Sequence, residues 1–313
     1  PPRLDSSAAS DVYKRQASRL SFGLSPSLFF SFFNTFNYKS YRTQNLYLKD
    51  FYRNRLNALG EWRTSLLGYT SVEYWNEINE SLGLEDNDYQ QNNIRVGIRN
   101  DSFEKFYYNF LADGGIREYV IQFDDSLIYN RYQSFGLEAI YEVGVMQQVR
   151  LFVENYFLYK FYEQKSSLEP DYYWNFLRPG IRLSLFEQFD LGVGYEWEFK
   201  EHNAHPLDSY NVNEQNYNSH GLYLSLNYFS LAGTYLTASI SYQWRRYPNS
   251  LTNDFISIYS NRNIFSAMLL AYVPLTKNFT FNVFATFDDD QDIDFDQQNN
   301  QSTIFSVELE YTF

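Results

Sequence analysis

The stretch Phe305-Ser306-Val307-Glu308-Leu309-Glu310-Tyr311-Thr312-Phe313 alternates without a break. Phe305, Val307, Leu309, Tyr311 and Phe313 share one parity; Ser306, Glu308, Glu310 and Thr312 share the other. Successive side chains of a β-strand point to opposite faces, so these residues make a strand with one apolar and one charged wall. Chain termini are usually frayed and polar, whereas this one carries Phe.

The pattern recurs upstream. Phe189, Leu191, Val193, Tyr195, Trp197 and Phe199 alternate with Asp190, Gly192, Gly194, Glu196 and Glu198. Leu236, Ala238, Ile240, Tyr242 and Trp244 alternate with Thr237, Ser239, Ser241 and Gln243, and residues 135–145 and 279–287 read the same way. Segments of about 9–13 residues suit a tilted strand that crosses a bilayer. Helical periodicity is nowhere comparable, and no apolar run approaches the roughly 18 residues of a membrane helix. The 313 residues include 30 Tyr and 29 Phe, a usage that suits strands and interfacial aromatic girdles. The absence of Cys excludes a disulfide scaffold and thiolate metal sites. A net charge of −13 with no cationic stripe argues against nucleic acid as a partner.

A strand apolar on one side, polar on the other and closed by Phe resembles the last strand of Gram-negative outer-membrane β-barrels. The resemblance is to an architecture and covers most of the chain. It implies an all-β, antiparallel up-and-down transmembrane β-barrel in the bacterial outer membrane. It also implies that Tyr311 and Phe313 belong to the signal read by the barrel-insertion machinery.

The connections agree with that architecture. Short ones lie at 146–148, 187–188, 230–233 and 274–277, alternating with long polar ones at 164–170, 201–219, 248–261 and 288–301. Up-and-down barrels alternate short periplasmic turns with long external loops, whereas a β-sandwich needs crossovers. Counting back from the end predicts strands at 302–313, 278–288, 261–273, 233–247, 219–230, 189–200, 171–186, 149–163, 131–145, 114–124, 92–110, 63–75, 46–57 and 27–38. That is about 14 strands, an even number, and twelve to sixteen fit the pattern; residues 17–25 would supply a further one. Within 92–124 the alternation of Ile94, Val96 and Ile98 lapses at 100–104, so a hairpin turns either there or at Asp113-Gly114-Gly115. Residues 1–16 lack alternation, and 8–16 resemble a translated adapter remnant. They are expected to be a non-native or disordered leader before a barrel of residues 17–313. A signal peptide built on Lys14-Arg15 and an apolar run at 27–33 would lack its small-residue cleavage site.

By this parity the inward wall carries Glu138, Glu142, Glu154, Glu196, Glu198, Glu308 and Glu310 with Arg95, Arg99, Arg150, Lys160, Arg182, Lys200 and Arg245. A mid-bilayer Arg or Lys facing lipid costs about 2–4 kcal/mol, so this wall faces water or other charges. Both a hydrated lumen and a salt-bridged interior fit, and inward Phe152, Tyr156 and Phe284 would narrow either. A turn near Gln147 sets Glu142 diagonal to Arg150, and one near Gln188 sets Arg182 diagonal to Glu196. The expected function is passive passage of small solutes or ions through a hydrated channel, without a cofactor. Outer-membrane lipid, lipopolysaccharide and the insertion machinery are the expected partners. The alternative is a barrel that terminates a longer exporter or assembly protein for polysaccharide, lipid or lipoprotein.

An outer-membrane lipid hydrolase fits less well, and no enzyme is expected. His202, His205 and His220 fall in one long external stretch. Barrel lipid hydrolases place Ser two residues after the His that activates it. Here Asn203-Ala204 follow His202, Gly221-Leu222 follow His220, and Ser219 precedes it. The Asp-His dipeptide of barrel proteases is missing from the sequence. Asp290, Asp292, Asp294 and Asp296 recur at every second residue, but an EF-type calcium loop starting at Asp292 needs Gly where Gln297 stands. A solvated acidic loop is expected there, with weak divalent-cation bridging to lipopolysaccharide as the alternative.

Overall fold

The computed structural model describes residues 12–40, 50–64, 68–81, 88–100, 106–123, 126–164, 169–203, 215–249, 259–294 and 299–311. Phe313, Asp296 and His205 lie outside them. The alternating segments form β1 (Val12–Ser25), β2 (Leu28–Ser40), β3 (Phe51–Thr64), β4 (Gly68–Ser81), β5 (Tyr89–Asn100), β6 (Phe106–Phe123), β7 (Ser126–Met146) and β8 (Val149–Tyr162). They continue as β9 (Asp171–Phe186), β10 (Phe189–Asn203), β11 (Tyr217–Phe229), β12 (Tyr235–Arg246), β13 (Arg262–Pro274), β14 (Phe279–Asp292) and β15 (Asn300–Tyr311). Each strand pairs with its neighbours in sequence, in the order β1 to β15.

The fourteen strands placed from the sequence are β2 to β15, and β1 makes the described count fifteen. Its apolar residues Leu20 and Phe22 pair with Phe32 and Phe30. Strands β3 and β4 lie about five residues later than the alternation suggested. The polar face of β3 carries Arg53, Arg55, Glu61 and Arg63, and the strand continues through Glu61 past residue 57, where the alternation was taken to end. The acidic connection after β14 is also shorter than expected, because β14 runs through Asp288, Asp289 and Asp290 to Asp292. Strand β6 passes straight through Asp113-Gly114-Gly115; the alternative hairpin at 100–104 falls between β5, which ends at Asn100, and β6, which begins at Phe106, and lies mostly outside the described residues. Asn93 occupies the space that a Cβ at Gly115 would need, so that glycine serves close approach and not a turn. At Gly233 the turn requirement is real: φ is 87°, and its amide donates to the Ser230 carbonyl at 3.0 Å.

The strands fall into two packed units, one of residues 1–100, 109–137 and 159–171, the other of 101–108, 138–158 and 172–313. In the first, register aligns Phe32, Ala58, Tyr74 and Ile94 on an apolar face. The opposite face carries Arg53 and Arg55 against Glu77 at 3.7 and 4.0 Å, and Arg95 against Glu73 at 4.0 Å. Arg55 and Arg95 also lie over the Trp75 ring, at 5.7 and 5.2 Å from its centroid.

In the second unit the register can be read as rows across strands. One apolar-face row is Phe189, Tyr228, Leu236, Ala271, Val283, Val307; eight residues along the strands lies Trp197, His220, Trp244, Asn263. The last apolar residue on this face is Phe199 on β10, Trp244 on β12, Phe265 on β13, Phe287 on β14 and Phe305 on β15. Across those strands the boundary slips by four rows. At about 3.4 Å per residue and 4.8 Å per strand, that is roughly 27 Å along the strands for 24 Å across them. The slope is close to 45°, near the tilt of strands in membrane barrels. Leu236 to Trp244 then spans about 19 Å along the membrane normal, and Phe189 to Phe199 about 24 Å. The longer span matches the roughly 25 Å apolar band of such barrels, and the shorter one fits within it. Lipid-soluble quenchers should therefore reach probes at Leu191, Val193, Ile240 and Phe281 and miss those at Glu196 and Gln243. Quenching at Glu196 equal to that at Val193 would reverse the assignment of faces.

Candidate functional site

The opposite face of the second unit is built from charge. Among the described residues it has four ion-paired groups, running from β7 to β14. In the first, Glu142 of β7 receives Arg150 of β8 at 2.9 Å and also pairs with Arg182 of β9, while Arg150 reaches Asp190 of β10 at 3.1 Å. The second centres on Arg178, which binds Glu154 at 2.7 Å and Glu196 at 2.6 Å. Its guanidinium also lies 3.9 Å from the Tyr223 ring centroid, and Gln243 donates to the other oxygen of Glu196 at 2.9 Å. In the third, Glu198 accepts from Trp174 at 2.8 Å, Tyr217 at 2.6 Å and Arg245 at 3.2 Å. The fourth joins Arg262 of β13 to Asp290 at 2.8 Å and Asp292 at 3.8 Å, with Ser260 also donating to Asp292.

Small residues on this face make room for long ones to lie flat. A Cβ at Gly194 would stand 3.1 Å from the Arg178 side chain, and one at Gly221 would stand 2.9 Å from Gln243. Phe152 fills the space above Gly180, and Arg182 lies 5.3 Å from the Phe152 ring centroid. Because the side chains lie across the sheet, Glu196 is only 2% exposed, and Glu142, Glu198 and Asp292 are buried as well. Charges this dry persist only when paired and hydrogen-bonded. Each of these four carboxylates has an arginine partner.

The residues singled out from the sequence are thus distributed as follows. Glu142, Arg150, Glu154, Arg182, Glu196, Glu198 and Arg245 come together in the paired groups. The expected diagonal Glu142–Arg150 is present, whereas Arg182 turns to Glu142 and leaves Glu196 to Arg178. Arg178 was missed, although it shares the parity of Arg182 on the same strand; Arg262 and Asp190 were missed too. Glu138 takes no part in these pairs. Glu308 and Glu310 lie on the same face by register, opposite Asn282 and Thr280, and are exposed. Asp290 and Asp292 belong to strand β14 and to Arg262, and Asp294 accepts from the Asn261 amide at 3.1 Å. Among the described residues no three acidic or histidine side chains are grouped to hold a metal ion. His202 is buried and bonded to Asn216, while His220 lies on the apolar face beside the Tyr195 hydroxyl at 2.7 Å. Tyr311 packs on Phe279, with ring centroids 4.6 Å apart.

The polar face changes character on β13 to β15. Register puts Met268, Leu270 and Tyr272 on it, opposite Thr286, Phe284 and Asn282, with Ile304 next to Thr286. Met268, Leu270, Tyr272 and Ile304 are all exposed. An exposed apolar patch on a wall that elsewhere carries the ion-paired groups is the second feature any functional reading must include.

No protein-family profile and no curated protein matches the chain. Solved structures do. The alcaligin outer-membrane receptor FauA from Bordetella pertussis aligns over 96% of this chain with a TM-score of 0.63 and 11% identity. The copper transporter OprC aligns over 96% with 0.62 and 12%, and the siderophore receptor PirA from Pseudomonas aeruginosa over 98% with 0.58 and 11%. The chain spans 57%, 56% and 71% of their respective lengths. At such identities the likeness concerns the fold, and the fold is that of outer-membrane β-barrel proteins.

Proposed function

We propose that this chain is the membrane wall of an outer-membrane transporter and that small polar solutes pass along its charged face. One observation carries the reading: the two faces of one wall have opposite chemistry. The apolar face is exposed and bounded obliquely at the strand tilt, while the other holds arginines and carboxylates in pairs. Outer-membrane lipid and lipopolysaccharide surround the first face, and the barrel-insertion machinery brings the wall to its place. Passive passage of ions is the simplest form of this activity. With the arginines of the face each paired to a carboxylate, selectivity falls to the exposed Glu308 and Glu310 and to the acidic connections, whose field is screened within about 8–10 Å at physiological salt. Reconstituted protein in planar bilayers should conduct with a mild cation preference that fades as salt rises. No conductance at any voltage would remove the passive form.

The patch at Met268, Leu270, Tyr272 and Ile304 favours a second form. Left in water, apolar area costs about 25 cal/mol per Å², so a face wetted by solute would not be expected to keep such a patch bare. A further segment of protein covering it would close the path until a ligand is taken up. Uptake of a siderophore or a metal, as the names of the structural neighbours indicate for those proteins, would then be the activity. Conductance that appears only after Met268→Ser and Leu270→Ser are combined would support this gated form.

A further inference from the structure

The apolar face of β10 to β13 ends in a row of hydrogen-bond donors. Asn218 and Arg246 are direct cross-strand partners one row beyond His220 and Trp244, and Asn263 stands opposite Trp244 on β13. All three therefore sit just past the last apolar residues of their strands, on the apolar side of the wall. Arg246 is exposed, and its Nη1 donates to the main-chain carbonyls of Arg245 at 2.9 Å and Arg262 at 3.0 Å. No described carboxylate pairs with it, whereas Arg150, Arg178, Arg182, Arg245 and Arg262 on the opposite face each hold one.

The neighbouring amides are oriented by their own bonds. The Oδ1 of Asn218 accepts the Trp197 indole N–H at 2.9 Å, and the Oδ1 of Asn263 is approached by Arg246 Nη2 at 3.5 Å. With both Oδ1 acceptors and the two Nη1 hydrogens of Arg246 engaged, the amide NH2 groups and the remaining Nε and Nη2 hydrogens of Arg246 are what this cluster has left for a ligand. These donors carry one positive charge, and the carboxylate on the same side, Asp289 one row below Gln291 on β14, is already bonded by Gln291, so the cluster is complementary to an anion with several oxygens. Charged side chains beyond an aromatic row meet the headgroup layer, where the available anions are lipid phosphates.

We infer that Arg246, Asn218 and Asn263 form a binding site for the phosphate of an outer-leaflet glycolipid, with Trp197 and Trp244 against the adjoining sugar and acyl chains. The inference rests on the reading that the apolar face lies in the membrane. It goes beyond that reading by giving one lipid a fixed place on the wall. The phosphate adds no covalent step; it completes the donors of a positioned arginine and fastens β11, β12 and β13 at the membrane surface.

The experiment is native mass spectrometry of the folded protein in neutral detergent, with bis-phosphorylated lipid A and lipid A stripped of phosphate as probes. Wild type should retain the phosphorylated form about tenfold more than the stripped one, the worth of one charge-assisted hydrogen-bond pair. Arg246→Gln should erase that difference, and Lys277→Gln, at the β13–β14 turn, should leave it intact. Should Arg246→Gln lose its heat-resistant folded band, Asn263→Ala tests the same site without removing the charge and should lower retention several-fold. Equal retention of both lipids by wild type, or an undiminished difference in the folded variants, overturns the site. Displacement of the lipid by millimolar inorganic phosphate would mark a site for free anions and overturn the lipid assignment. Failure to float with phosphatidylcholine vesicles would instead count against the membrane reading itself.

Discussion

Replacing Arg178 by Leu should destabilise the folded wall by about 3–5 kcal/mol, the usual cost of removing one partner from a buried ion pair. Arg178 stands between Glu154 and Glu196, and the latter is 2% exposed. Without the guanidinium two carboxylates face each other with little water. The companion variant Arg178→Leu, Glu154→Leu, Glu196→Leu removes the uncompensated charge and should recover most of the loss, since apolar replacement of a whole buried group is often neutral. Urea-induced unfolding of protein refolded into lipid vesicles measures both. A loss under about 1 kcal/mol for the single variant is what exposed pairs give. That result would mean water readily enters this face, and it would favour the open passive channel.

Ile240→Arg should cost about 2–4 kcal/mol, because Ile240 lies midway between the two boundary rows of β12 and faces lipid. Trp244→Arg, two rows nearer the headgroups, should cost only about 0–1 kcal/mol for the charge, plus whatever packing on Tyr242 is lost. The same unfolding series reads both, and the ordering carries the test. Equal costs at Ile240 and Trp244 would mean that the apolar face does not span a depth gradient, and the oblique boundary would lose its meaning.

Alternation determined much of this fold in advance. Residues 189–199 and 236–244 separate apolar from polar so cleanly that strand, face and approximate ends follow from a period of two. Where charges crowd the polar parity, as at Arg53, Arg55, Glu61 and Arg63, the same rule ends a strand at residue 57, whereas β3 runs on through Glu61 to Thr64. Glycine misleads in the same way at Gly114-Gly115. In sequence a pair of glycines signals a turn, and only the approach of Asn93 shows that this strand continues.

The ion-pair partners belong to tertiary structure. Parity could place Arg182 and Glu196 on one face, but a one-strand difference in reach decides that Arg182 goes to Glu142 and Arg178 to Glu196. Glycines across the strand pair set that reach by letting a side chain lie flat or forcing it to stand. The aspartates of β14 show the same limit, since as a string they read as a solvated loop or weak cation site. Only the pairing of β13 with β14 brings Arg262 opposite Asp292 and takes two of them into the wall. The sequence by itself determined the two-faced strand and therefore the kind of surroundings each face needs, because burial pattern has a period the chain displays. Which charge meets which was decided by register and by the space beside each side chain, quantities that exist only once neighbouring strands are in place.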